Sequence, residues 1–209
     1  AAIRRRTSGR LRRKRRALRV RDPDADLLRR AGSGDVSAAE ALVRAHLPRL
    51  IGLARRLLGD AAEAEDVAQD VFVKAWAIAP RWRSEEAKFS TWLHRVALNA
   101  CYDRLRKRGR WVGEEAAMNV PDPRPHPAQQ ALQRQRAEAV NAALMNLPER
   151  QRAAIALCHF EELSNIEAAS ILQVSVDALE SLLARGRRSL KAALAGRAED
   201  LIGDAERAQ

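Results

Sequence analysis

Apolar residues recur at three- and four-residue spacing along most of the chain, and no segment sustains the strict alternation of a half-buried strand. The pattern predicts an all-α fold. Helix starts are expected at Asp26 ahead of Leu27 and Leu28, at Ser37 with Glu40 three residues later, and at Ser90 ahead of Trp92. Gly59, Pro80 and Pro148 separate further helices. The periodicity lapses from Gly113 to Pro127, where Pro121, Pro123, Pro125 and Pro127 stand at every second position and deny helix to the residues before them. This stretch predicts a linker over 113–127 between two small helical domains, 22–112 and 128–195, with a polar tail over 196–209 that is expected to fray.

Charge changes this picture at one end only. The formal net charge is +11, yet residues 1–21 hold eleven basic groups and no acid, and the remainder balances 27 basic against 27 acidic groups. Any contact with nucleic acid must therefore come from local clusters rather than from a basic body. The 1–21 arm is expected to be disordered and receives no function. No apolar stretch follows it, so no secretory signal is expected, and no run long enough for a bilayer predicts membrane insertion. Two cysteines, Cys101 and Cys158, cannot staple a chain of this length, which suits a reducing cytoplasm. Cys158 beside His159 predicts a core thiol next to a half-buried imidazole rather than a zinc site. No carboxylate pair, nucleophile with its base, or phosphate loop appears, so neither catalysis nor a cofactor is expected.

The second domain contains the sharpest local signal. Ser164 and Glu167 form a capping box that opens a short helix to Leu172; Gln173, Val174 and Ser175 make a turn; Ser175 caps a longer helix from Val176. The core stripe of the longer helix is Val176, Leu179, Leu183, Gly186, Leu190 and Leu194, and the opposite face collects Asp177, Ser181, Ala184, Arg185 and Arg188. Small, hydrogen-bonding and cationic side chains on one face suit a helix that enters the major groove, although a merely solvated face has the same composition.

The first domain offers a different stripe. Over 90–108, Leu93, Val96, Ala97 and Ala100 line one side, while Arg95, Asn99, Tyr102 and Arg106 follow one another on the other, with Trp92 at the edge and Lys107 beyond. Cations track phosphates, an amide reads a base edge and rings stack on unpaired bases, so the stripe suits a single strand. The competing expectation is a solubilising helix end, with Phe89 and Trp92 filling the core. Upstream, Asp66, Gln69, Asp70 and Val73 share a face whose exposed valine points to a protein partner.

At these residues the chain resembles a known family. The run from Glu65 to Trp76 (EDVAQDVFVKAW), the run from Phe89 to Asn99 (FSTWLHRVALN), Leu147–Arg152 (LPERQR) and Leu163–Ala169 (LSNIEAA) are similar to successive motifs of bacterial sigma factors of the extracytoplasmic-function group. The likeness covers about residues 24–195, with a linker where larger relatives carry a third domain. It implies a dissociable initiation factor for core RNA polymerase that binds promoter DNA and is held inactive by an anti-sigma factor, in the cytoplasm and on the nucleoid when bound. It further implies that Asp66, Gln69, Asp70 and Phe72 dock on the polymerase clamp helices. Asn99 would receive a flipped base of the minus-ten element, with Arg95, Arg106 and Lys107 on nearby phosphates, and Ser181, Arg185 and Arg188 would face the minus-thirty-five element. Three positions depart from the family pattern: Glu180 and Leu182 stand where basic residues are usual, and Asn165 stands where an aromatic is usual. Glu180 would then accept from cytosine N4, or the chain would read a different promoter class. Two other readings remain at this level: a sigma-like mimic that binds only the anti-sigma factor, and a stand-alone helix-turn-helix regulator, which predicts a dimer on palindromic sites.

Overall fold

The computed structural model describes residues 22–83, 87–111 and 128–206. The expectations for the 1–21 arm and the 113–127 linker fall outside them. Among the described residues the chain forms eight α-helices and no strand, as the periodicity predicts. In the first half these are α1 (Ala25–Gly32), α2 (Val36–Leu58), α3 (Ala61–Ile78), which tightens into a 3₁₀ turn over Ala79–Arg81, and α4 (Phe89–Trp111). In the second half they are α5 (Ala128–Met145), α6 (Glu149–Ile155), which widens into a π turn over Ala156–Phe160, α7 (Asn165–Leu172) and α8 (Val176–Glu206). The tail expected to fray after Gly196 instead continues α8 to Glu206.

Helix entry is set by different residues from those the sequence pattern favours in the first half. The cap of α2 is Asp35 rather than Ser37: its carboxylate accepts from Ala38 N at 3.2 Å, from the Ser37 hydroxyl at 2.7 Å and from Arg30 at 2.7 and 2.9 Å. The Ser37 hydroxyl, then the Arg30 guanidinium, then the amide of Ala38 pull the Asp35 carboxyl down to about 2. Helix α1 starts one residue before Asp26, from Asp24, and α4 starts at Phe89, one residue before Ser90. Gly59 ends α2 at φ 74°, a conformation costly for any residue with a Cβ. The second half follows the pattern closely. The Ser164–Glu167 capping box is formed in both directions, Gln173 takes the left-handed conformation that ends α7, and the Ser175 hydroxyl accepts from Ala178 N at 3.1 Å.

Packing buries Leu42, Leu53, Leu57, Val67, Val71 and Leu93 among the first four helices, and Leu144, Ile155, Leu157, Ile171, Leu179 and Leu183 among the rest. These are not two separate cores on a tether. They join in one apolar cluster, because α2 and α4 pack against the π turn and α7. Gly186 marks a close approach of α6 and α8: a Cβ there would lie 2.7 Å from Ile155 Cδ1, whose side chain is itself buried. Gly186→Val is therefore expected to destabilise the chain by ~2 kcal/mol through overpacking, measured by urea unfolding. A change below a few tenths would mean that α6 and α8 can part at no cost.

Candidate nucleic-acid interface

The α4 stripe is anchored at its N-terminal end by a residue that sequence reasoning missed. Asp22 is buried, and its carboxylate accepts from Phe89 N at 3.0 Å, Trp82 Nε1 at 3.2 Å and Asp24 N at 3.1 Å. An acid at the first amides of a helix satisfies donors that have no intrahelical partner and complements the dipole. The same contact fixes an aromatic cluster. Phe89 is fully buried and lies parallel to Trp92 at 6.1 Å, with Trp82 edge-on to both rings. Trp92 thus belongs partly to this packing and keeps part of its surface in solvent, so core filling and stripe membership both hold for it.

From that anchor α4 presents Arg95 half-buried, Asn99 exposed, Tyr102 half-buried, and Arg106 and Lys107 exposed. Arg106 is paired with Asp103 one turn earlier. Burial pushes the Tyr102 hydroxyl up to about 12, and that oxygen has no hydrogen-bond partner among the described residues. Asn99, Tyr102, Asp103 and Arg106 form one wall of a cleft of about 560 Å³ whose other wall is Glu149 and Arg150 of α6.

On α8, Asp177, Glu180, Ser181, Ala184, Arg185 and Arg188 are all exposed, while Leu179, Leu183 and Gly186 face inward. Arg185 and Arg188 form no ion pair among the described residues, so both guanidinium groups are available. Glu180 is not: Asn165 Nδ2 donates to its Oε1 at 3.2 Å, which couples two of the three departures from the family pattern. Leu182 is half-buried against the core, a place where a basic side chain would have to snorkel outward.

On α3, Asp66, Gln69, Asp70 and Val73 are exposed, Val73 at 69%. Asp70 is already paired with Arg104 at 3.0 Å. Phe72, expected on the docking surface, is 6% exposed and packs on Trp76 at 5.7 Å, so it lies beneath that face rather than on it. The Cys158–His159 expectation holds for packing but not for the degree of burial, since Cys158 lies against the edge of the core. Cys158 is only half-buried and His159 is exposed, accepting from Arg187 Nε at 3.0 Å. No group of metal-ligating side chains occurs among the described residues, and no described helix is long and apolar enough to cross a membrane.

Known proteins resemble the chain in both halves. Residues 42–110 match sigma-70 region 2 and residues 137–190 match sigma-70 region 4. The chain is 32% identical to the RNA polymerase sigma-H factor of Pseudomonas aeruginosa over 190 residues, covering 84% of this chain and 95% of the relative. It is 36% identical to the ECF RNA polymerase sigma factor SigM of Mycobacterium tuberculosis, covering 80% and 82%. Among solved structures, the sigma factor RpoE of Bartonella quintana, crystallised with the anti-sigma factor NepR, superposes with a TM-score of 0.60 at 30% identity, covering 74% of this chain and 95% of that one.

Proposed function

Since the chain belongs to the extracytoplasmic-function sigma factors of bacterial RNA polymerase, we propose that its first domain captures the melted minus-ten element and its second domain grips the minus-thirty-five duplex. The observation that carries the first assignment is the α4 stripe, where an unpaired exposed amide at Asn99 sits between rings and cations one and two turns away. Extruding a base costs a few kcal/mol of stacking, and a prepared pocket with an amide that both donates and accepts recovers it. Arg95 and Lys107 then hold the flanking phosphates.

The second assignment rests on α8. Two unpaired guanidinium groups flank the small side chains of Ser181 and Ala184, which leaves space for the groove floor to approach. Arg185→Ala is expected to weaken holoenzyme binding to duplex carrying the minus-thirty-five element by about 1–3 kcal/mol, read by competition against a scrambled element. Equal affinity of the variant and the parent for both duplexes would remove Arg185 from the contact.

Polymerase docks on α3 through Asp66, Gln69 and Val73, with Phe72 supporting the face from inside. An anti-sigma factor regulates the chain as NepR accompanies its sigma partner, and the assembled holoenzyme resides on the nucleoid. The chain contributes specificity and strand capture; nucleotide addition belongs to the polymerase. Run-off transcription with purified core polymerase tests this reading. Promoter-specific transcripts that depend on the chain support it. A chain that binds polymerase or an anti-sigma factor but yields no transcripts is a mimic.

A further inference from the structure

The second domain carries one polar pair that its fold does not require. Asn165 is the first residue of α7, but the capping box of Ser164 and Glu167 satisfies that helix entry without it. Its side chain is instead fixed across the hairpin. The Cys158 thiol donates to Asn165 Oδ1 at 4.0 Å, so Nδ2 points the other way and donates to Glu180 Oε1 at 3.2 Å. Glu180 lies exposed in the second turn of α8, and no cation among the described residues pairs with it. Only one of its two oxygens is engaged: Oε2 has no hydrogen-bond partner among the described residues.

In a helix-turn-helix the first residues of the second helix face base edges, while the first helix crosses the backbone. A carboxylate held there from α7 offers acceptors and no donor. In the major groove only cytosine N4 and adenine N6 donate, adenine N7 is an acceptor beside its amino group, and guanine and thymine offer acceptors alone. With Oε1 committed to Asn165, the single outward oxygen fits the lone donor of cytosine. Against guanine or thymine it meets another acceptor and gains no bond. Such a group selects chiefly by rejecting the wrong bases, so it adds discrimination without adding affinity.

We propose that Asn165 and Glu180 act as one specificity-determining unit, in which the amide positions the carboxylate to accept from cytosine N4 at one base pair of the minus-thirty-five element. This rests on the promoter-reading assignment of α8 above. Glu180 is the contacting residue and Asn165 the positioning residue.

Sequencing the duplexes that holoenzyme captures from a pool randomised over the minus-thirty-five element tests it. The unsubstituted chain should prefer cytosine about tenfold at one position. Glu180→Ala should abolish that preference and no other, without weakening capture of duplexes that carry another base there. In Glu180→Gln, Asn165 Nδ2 still donates to the side-chain oxygen, so an NH2 group faces outward and the preferred base should change to guanine or thymine, which present acceptors. Asn165→Ala should reduce the cytosine preference severalfold. Asn165→Asp combined with Glu180→Gln should restore it, because the hydrogen bond is then reversed and an oxygen again faces the groove; a folding defect would not be rescued in this way. A cytosine preference that survives Glu180→Ala overturns the proposal. So does its absence from the unsubstituted chain while Arg185→Ala still alters a different position, and in both cases the promoter-reading assignment stands. A double variant no better than Asn165→Ala overturns the coupling of the two residues. A holoenzyme with no base preference anywhere in the pool removes the assignment of α8 itself, and the role of the pair with it.

Discussion

Holoenzyme carrying Asn99→Ala is expected to initiate promoter-specific run-off transcription about 10- to 100-fold less well than the parent, the loss of a bidentate base contact worth roughly 1–3 kcal/mol. Asn99 is exposed and makes no described side-chain contact, so its removal should leave the fold intact, and alanine is the better helix former at a solvent-facing position. The loss therefore lands on strand capture. On a template whose minus-ten region is already mismatched, unpairing no longer has to be recovered from binding, and the defect should shrink. Polymerase affinity should be unchanged, because Asn99 lies on α4 and the proposed docking face on α3. An Asn99→Ala holoenzyme that transcribes duplex promoters at the parental rate would show that the stripe does not read the base.

How much of this was legible in the residues differs between the two halves. The second half was read almost to the residue: a capping box, a three-residue turn and a second cap are local chemistry, so Ser164, Glu167 and Ser175 announce themselves without the rest of the chain. The face of α8 followed from helical geometry alone. In the first half, side chains distant in sequence decide the helix entries. Asp22 caps α4 from 67 residues away, and no window around Ser90 can reveal that. Phe72 sits one residue before the exposed Val73, yet is buried beside Trp76, and the run of residues alone does not say which of the two faces inward. The docked domains were the least legible feature. The proline-rich segment lies outside the described residues, and nothing in its sequence says whether the parts on either side touch. Glu161, His94 and Arg152 each look like ordinary surface residues of a helical protein until both halves are placed together. The two departures Asn165 and Glu180 were visible singly, and only their 3.2 Å contact shows that they form a pair.

The largest expected loss of stability comes from Arg152→Ala. Arg152 is 6% exposed, and its guanidinium donates to Leu57 O at 2.6 Å and to Leu147 O at 3.1 Å. Leu57 lies in the last turn of α2, where carbonyls have no intrahelical donor and the dipole end is negative. Arg108 serves the neighbouring carbonyl of Leu58 in the same way from α4 at 3.0 Å, so two arginines from different domains close one helix end. Truncating Arg152 would strand one carbonyl at that end and another at the entry to α6, each away from water. Hydrogen bonds to a charged donor contribute about 1.5–3 kcal/mol each, and burial, which pulls the Arg152 guanidinium below its ordinary value, offsets part of the total. A loss of roughly 3 kcal/mol in urea unfolding of the full chain is expected. Arg152→Lys should recover only part of it, because one ammonium on a flexible stem cannot match a planar fork that serves two carbonyls at once. If Lys restored full stability, the fork would be irrelevant and charge at the end of α2 would suffice. If Ala cost less than about 1 kcal/mol, water would have to reach Leu57 O in the folded chain, and the two domains would not be closed over it.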